Sequence, residues 1–120
     1  MNVSQKHLIV RKEDMVWEDG MYEGTKMAYL WEEPETGRVA FLVKVEAGGT
    51  IPFHDHPRRE VAFVVEGEVR LNEDIMRKGD FLTALDQEAH DVYTETGCTF
   101  FIYIDYNINK HKLVPLDDLK

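Results

Sequence analysis

The chain has one cysteine, Cys98, among its 120 residues, so no intramolecular disulfide can form and a reducing cytoplasm suits it. No second cysteine stands near it to complete a zinc-binding pair. Its setting, Thr96-Gly97-Cys98-Thr99-Phe100 at the start of an apolar run, reads as a small buried side chain rather than a reactive thiol. Basic residues are scarce: 14 Lys and Arg stand against 23 Asp and Glu, a formal net charge of -9. Clustered positive charge, which a nucleic acid or an anionic membrane surface would need, is missing. Long apolar runs are missing too. The N-terminal stretch has only Leu8-Ile9-Val10 before charges resume, too little for a signal peptide or a membrane span. There is no internal repeat, low-complexity tract or linker. With 43% hydrophobic residues, the composition suits a single domain, residues 1–120, with one core.

What is present is a series of short strand-like runs punctuated by turn residues, at intervals that predict an all-β barrel or sandwich. The runs are residues 26–31, 38–45, 60–65, 68–71, 91–94 and 99–106. Residues 32–37 read as a hairpin loop in which Gly37 can take positive φ, and residues 71–75 and 77–80 as two tighter reversals. Only residues 12–19 and the polar tail at 115–120 suggest helix. In residues 38–45 one face carries Val39, Phe41, Val43 and Val45 and belongs in a core. Residues 60–65 and 100–104 are apolar on both faces, which predicts cover on both sides, and for the second run a homodimer that supplies it.

The chemistry concentrates in Gly48-Gly49-Thr50-Ile51-Pro52-Phe53-His54-Asp55-His56-Pro57-Arg58-Arg59-Glu60. Alternation along a strand puts His54 and His56 on one face, and a Pro-Arg-Arg step can turn Glu60 back toward them. Two imidazoles and a carboxylate, joined by His90 further along, make metal binding the first hypothesis. A lone His-x-His is a weak signal, since two histidines can be plain surface residues. His7 and His111, near the termini, read as such surface residues.

The wider pattern resembles the cupin family. That family's first motif has Gly, five residues, His-x-His, three or four residues, Glu, six residues, Gly; Gly48, His54, His56, Glu60 and Gly67 occupy every fixed position. In the second motif Gly79 and His90 are correctly separated, while Leu85, Gln87 and Thr94 replace the family's Pro, Gly and Asn. The resemblance implies a double-stranded β-helix, or jelly-roll barrel, spanning about residues 13–106 with a polar tail at 107–120. It also implies one divalent transition metal (Fe, Mn, Ni, Co or Zn) held by His54, His56, Glu60 and His90. Phrases such as Asp14-Met15-Val16-Trp17, Tyr29-Leu30-Trp31, Val45-Glu46-Ala47-Gly48-Gly49 and Val65-Glu66-Gly67-Glu68-Val69 are similar to the cupin domain of ChrR-type anti-sigma factors, a branch that also resembles acetylacetone-cleaving dioxygenases. A helical sigma-binding domain has no room in 120 residues, so the likeness is to the free-standing barrel.

Three readings of function stand at this point. The first is a metal-dependent oxidoreductase, dioxygenase-like, acting on a small enolisable or aromatic molecule, with Glu60 as ligand and transient catalytic base. The second is a non-enzymatic binding or sensor module. The third is a metal-dependent sugar or keto-acid isomerase or lyase. Phe53, Phe63, Phe81, Tyr93, Phe100 and Tyr103 are candidates for the pocket wall, each also readable as plain core. Arg58, Arg59, Thr83, Gln87 and Thr94 are the polar groups near the motifs, and the two arginines read best as solvated loop charges.

Overall fold

A computed structural model of the chain describes residues 7–55, 60–84 and 89–105, of which residues 52–55 and 89 are described by backbone alone. Among the described residues nine strands follow one 3-10 turn at Lys12–Asp14. They are β1 (Glu18–Asp19), β2 (Thr25–Glu33), β3 (Arg38–Val45), β4 (Thr50–Asp55), β5 (Glu60–Leu71), β6 (Asp74–Arg77), β7 (Phe81–Ala84), β8 (Ala89–Tyr93) and β9 (Cys98–Ile104). Their order is β1-β2-β3-β9-β5-β8-β4, with β6 and β7 also paired to β5 and every pairing antiparallel. The expected all-β barrel is thus observed.

The long strand β5 makes the curl. Its first half pairs with β9 and β7, and its second half with β6 and β8. A register shift between Val64 and Glu66 and Gly67 at φ 81° bend the strand where it changes sheets, as bulges do at barrel corners. Only glycine fits there: a Cβ on Gly67 would lie 2.2 Å from the Gly97 carbonyl oxygen. The two runs expected at 60–65 and 68–71 are therefore one bent strand.

The inward faces follow strict alternation. Val39, Phe41, Val43 and Val45 of β3, Ala62 and Val64 of β5, and Phe100, Ile102 and Ile104 of β9 are buried from one sheet. Ile51, Val69, Met76 and Val92 meet them from the other. Each large apolar side chain withdrawn from water in this way contributes on the order of 1.5–3 kcal/mol before entropy is counted.

The outward face corrects the expectation of two-sided cover. Leu42, Phe101, Phe63 and Phe81 stand opposite one another in register across β3, β9, β5 and β7. Leu42 and Phe101 are half-buried, while Phe63 and Phe81 are exposed, Phe81 by 60%. Strand β5 is buried on one side only. The helix expected at residues 12–19 is also corrected: after one 3-10 turn the chain extends into β1, whose partner strand gives the backbone its hydrogen bonds. The Lys44 ammonium lies 4.2 Å from the Trp17 ring centroid, which ties this N-terminal segment to β3. The expected tail helix at 115–120 lies outside the described residues.

The predicted turns behave as their residues require. Gly37 has φ 82°, Asn72 φ 53° and Gly79 φ 94°, and Asp80 Oδ2 accepts the Arg77 N–H at 2.8 Å to close the third reversal. No helix among the described residues is long and apolar enough to cross a membrane.

Candidate functional site

The strand ends at one end of the barrel gather the chemistry. β4 ends at Asp55, opposite Ala89, and β5 begins at Glu60, opposite both Ala84 and Ile104. Glu60 and His90 stand at that end, 7% and 4% exposed. Both line a cavity of about 80 Å³ between the two sheets. Apart from these two, Tyr22 and Thr25, every described residue lining it is apolar. An ionised carboxylate in such surroundings costs several kcal/mol unless positive charge or hydrogen bonds offset it. The donor pair, one imidazole and one carboxylate, fits the divalent metal that the motifs imply.

His54 takes its place through an irregularity in β4. Ile51 pairs with Val92, yet His54, not Phe53, pairs with His90. Regular antiparallel counting from Ile51 would set Phe53 opposite His90. The extra residue is accommodated as a bulge at Pro52 and Phe53, where a proline, lacking an N–H for the ladder, is tolerated. His54 thereby holds the register position facing His90. His56, Arg58, Arg59 and Gln87 lie outside the described residues. Among the described residues no group of three or more His, Cys, Asp or Glu is placed to hold a metal, a set that contains neither His56 nor the His54 side chain. His7 is exposed, as expected of a surface histidine.

The aromatic expectations divide. Phe100 lines the cavity, as does Phe41, which had been assigned only to the core. Phe63 and Phe81 are exposed on the outer face, and neither they nor Tyr93 and Tyr103 line the cavity. The Phe53 side chain lies outside the description. Alternation explains the split: Phe41 and Phe100 share the parity of the buried positions on β3 and β9, and Phe63 has the opposite parity to Glu60, Ala62 and Val64.

Thr94, where the cupin pattern has Asn, is 1% exposed and is committed to structure. Its hydroxyl donates to the Glu68 carbonyl at 2.6 Å and accepts the Gly97 N–H at 3.0 Å. Its backbone exchanges hydrogen bonds with Gly48 and Gly49. One threonine thus joins the start of the first motif to the bend of β5. Cys98 beside it is buried, and burial pushes its thiol up to about 11, in keeping with a structural role. Thr83 is exposed.

Sequence reasoning missed Tyr22. It sits in the β1–β2 connection and its backbone N–H and carbonyl both bond the Thr25 hydroxyl, at 3.3 and 2.6 Å. Its ring packs on the core and lines the cavity. Burial raises the pKa of its phenol above the ordinary value. No periodic signal marks the residue, because a tight turn rather than a strand carries it inward.

No curated protein matches the chain in sequence. Among solved structures, the complex of Rhodobacter sphaeroides SigE with the anti-sigma ChrR contains a similar chain, with 26% identity and a TM-score of 0.68 over 79% of this chain and 51% of that one. The polyketide cyclase RemF of Streptomyces resistomycificus has 20% identity and a TM-score of 0.72 over 81% and 78%. An acetylacetone dioxygenase from Acinetobacter johnsonii has 12% identity and a TM-score of 0.69 over 87% and 76%. The last two likenesses show the cupin fold alone. The family described as the ChrR cupin-like domain matches residues 5–106, and the chain belongs to it.

Proposed function

We propose that the chain is one cupin domain, its barrel within residues 13–106, that holds one divalent transition metal through His54, His56, Glu60 and His90. In this reading it is a dioxygenase-like oxidoreductase for a small organic molecule. The observation that carries the reading is a buried carboxylate and imidazole at one end of an apolar cavity, with His54 at the register position facing the imidazole. A metal bound there would supply Lewis acidity to a ligand oxygen and, with Fe, redox capacity toward dioxygen. The chain's own contributions are two. The apolar walls exclude water from the reacting molecule, and the Glu60 carboxylate, on the cavity face, takes the proton from an acidic carbon. The test is metal content of protein purified anaerobically without chelators, followed by oxygen uptake with dicarbonyls and phenolics. About one Fe, Mn, Ni or Co per chain with substrate-dependent uptake supports the reading; full metal content without turnover of any candidate would sink the oxidoreductase part.

The family description, ChrR cupin-like, and the likeness to a chain from a SigE–ChrR complex support a second reading, a metal-dependent sensor that binds a protein partner rather than turning over a substrate. Tightly held Zn and no turnover would favour it. A sugar isomerase draws less support, because a polyol needs more converging polar groups than the described cavity walls offer.

We also propose a homodimer that covers the outer row Leu42, Phe101, Phe63 and Phe81, since a contiguous apolar row with two exposed aromatics on a sheet face marks an association surface. Phe81→Glu should give a monomer by light scattering while leaving monomer stability within about 0.5 kcal/mol; an unchanged assembly state would remove this face from the interface.

A further inference from the structure

The cavity has two ends of different character. Glu60 and His90 lie at one. At the other, Thr25 pairs with Val45, Val45 with Cys98, and Cys98 with Gly67. Gly67 is seven residues along β5 from Glu60, roughly 20 Å away at strand rise. The β1–β2 connection, residues 20–24, runs across this far end. It is pinned there by Thr25, whose buried hydroxyl is wholly occupied with the Tyr22 backbone and whose own backbone bonds Gly20 and Tyr22. Between the two ends the described walls are Met27, Phe41, Val43, Val64, Phe100, Ile102 and their apolar neighbours.

Met21 and Tyr22 line the inner cavity and also a second, open groove on the outside. Met21 is 46% exposed although it touches the cavity. At this end the wall is therefore one layer of side chains thick, and the Tyr22 ring is its largest part. The cavity volume, about 80 Å³, is several times the roughly 10–15 Å³ that a single water needs.

We infer that the cavity takes a ligand with one polar end and a short apolar body, and that Tyr22 sets the length of that body. The polar end sits at Glu60 and His90; the body extends along the valines and phenylalanines toward the Tyr22 ring. A ligand with polar groups along its length would leave them without partners. The placement of the head rests on the proposed metal end, and the length limit does not.

The test is a thermal-shift and calorimetric titration with linear β-diketones lengthened one methylene at a time from acetylacetone, with dihydroxyacetone as the polar comparison. Cobalt stoichiometry is measured on the same samples. Affinity should improve roughly fourfold per methylene and then fall once the chain reaches the Tyr22 ring, while dihydroxyacetone binds at least tenfold more weakly. Tyr22→Ala should move the fall to longer diketones, and Tyr22→Phe, which keeps the ring, should leave it in place. Dihydroxyacetone binding as well as acetylacetone, no diketone binding, or a length limit unmoved in a folded Tyr22→Ala protein each overturns the inference. Absence of cobalt binding alone, with the length series intact, overturns the metal reading and with it the placement of the head, and leaves the Tyr22 length limit standing.

Discussion

The two ends of the barrel are built to opposite rules. At the Glu60–His90 end, a carboxylate and an imidazole are buried against apolar walls. At the far end, where Gly48, Gly49, Gly67, Thr94 and Gly97 converge, the groups are small or backbone, and Thr94 ties three segments through matched hydrogen bonds. One end gathers two donors of the proposed site, and the other ties the sheets together. Tyr22 apart, substitutions at the two ends should therefore separate into those that change binding and those that change stability.

The largest effect should come from the joint His54→Ala, His56→Ala change, which should take metal content from about one per chain to near zero by elemental analysis while the metal-free melting curve hardly moves. Full occupancy in that variant would remove the proposed metal centre altogether. Gly67→Ala should act in the reverse sense. Its Cβ meets backbone at 2.2 Å and its φ is positive, so about 2–4 kcal/mol of unfolding free energy should be lost, with metal still bound below the melting point. Thr94→Val should cost about 1–3 kcal/mol in the same denaturation assay by leaving the Glu68 carbonyl and the Gly97 N–H unmatched. If it is neutral, the hydroxyl is not the clasp described above.

The last effect is confined to alkaline pH. The buried thiol of Cys98 is raised to about 11, whereas an unfolded cysteine ionises near 8.5. Below about pH 8.5 both states are protonated and the contribution is fully present. As pH rises from there toward 11 the unfolded chain releases its proton first, so stability should decline over that window. Cys98→Ala should flatten the decline; a curve of the same slope in that variant would assign it to other groups.

Much of this contrast is legible in the residues, and the exceptions have physical causes. The inward faces of β3 and β9 follow directly from alternation, and the turns from Gly37, Asn72 and Gly79. Strand β5 misleads because Val61, Phe63 and Val65 are apolar yet face outward, and hydrophobicity alone does not say which face meets a partner sheet. Strands β6 and β7, four residues each, begin amid turn residues and carry too few alternations to register. Thr94 reads as a departure from the cupin pattern because its hydroxyl works through one bond to Glu68, far away in sequence, and one to Gly97 within its own turn. The donors Glu60 and His90 are visible as a motif, but that Tyr22 lines the same apolar cavity depends on a turn that no periodicity reports.

The bulge at Pro52 and Phe53 gives the spacing of the first motif a different meaning. The interval from Gly48 to His54 does not measure distance so much as parity. A regular strand would set Phe53 against His90, and one inserted residue exchanges it for His54. Adding a single residue there, with the bulge still one residue deep, would keep every histidine and the β4–β8 pairing, yet bring Phe53 to the register position that His54 now holds. The information is in a count, and it would be lost with every histidine still in the sequence.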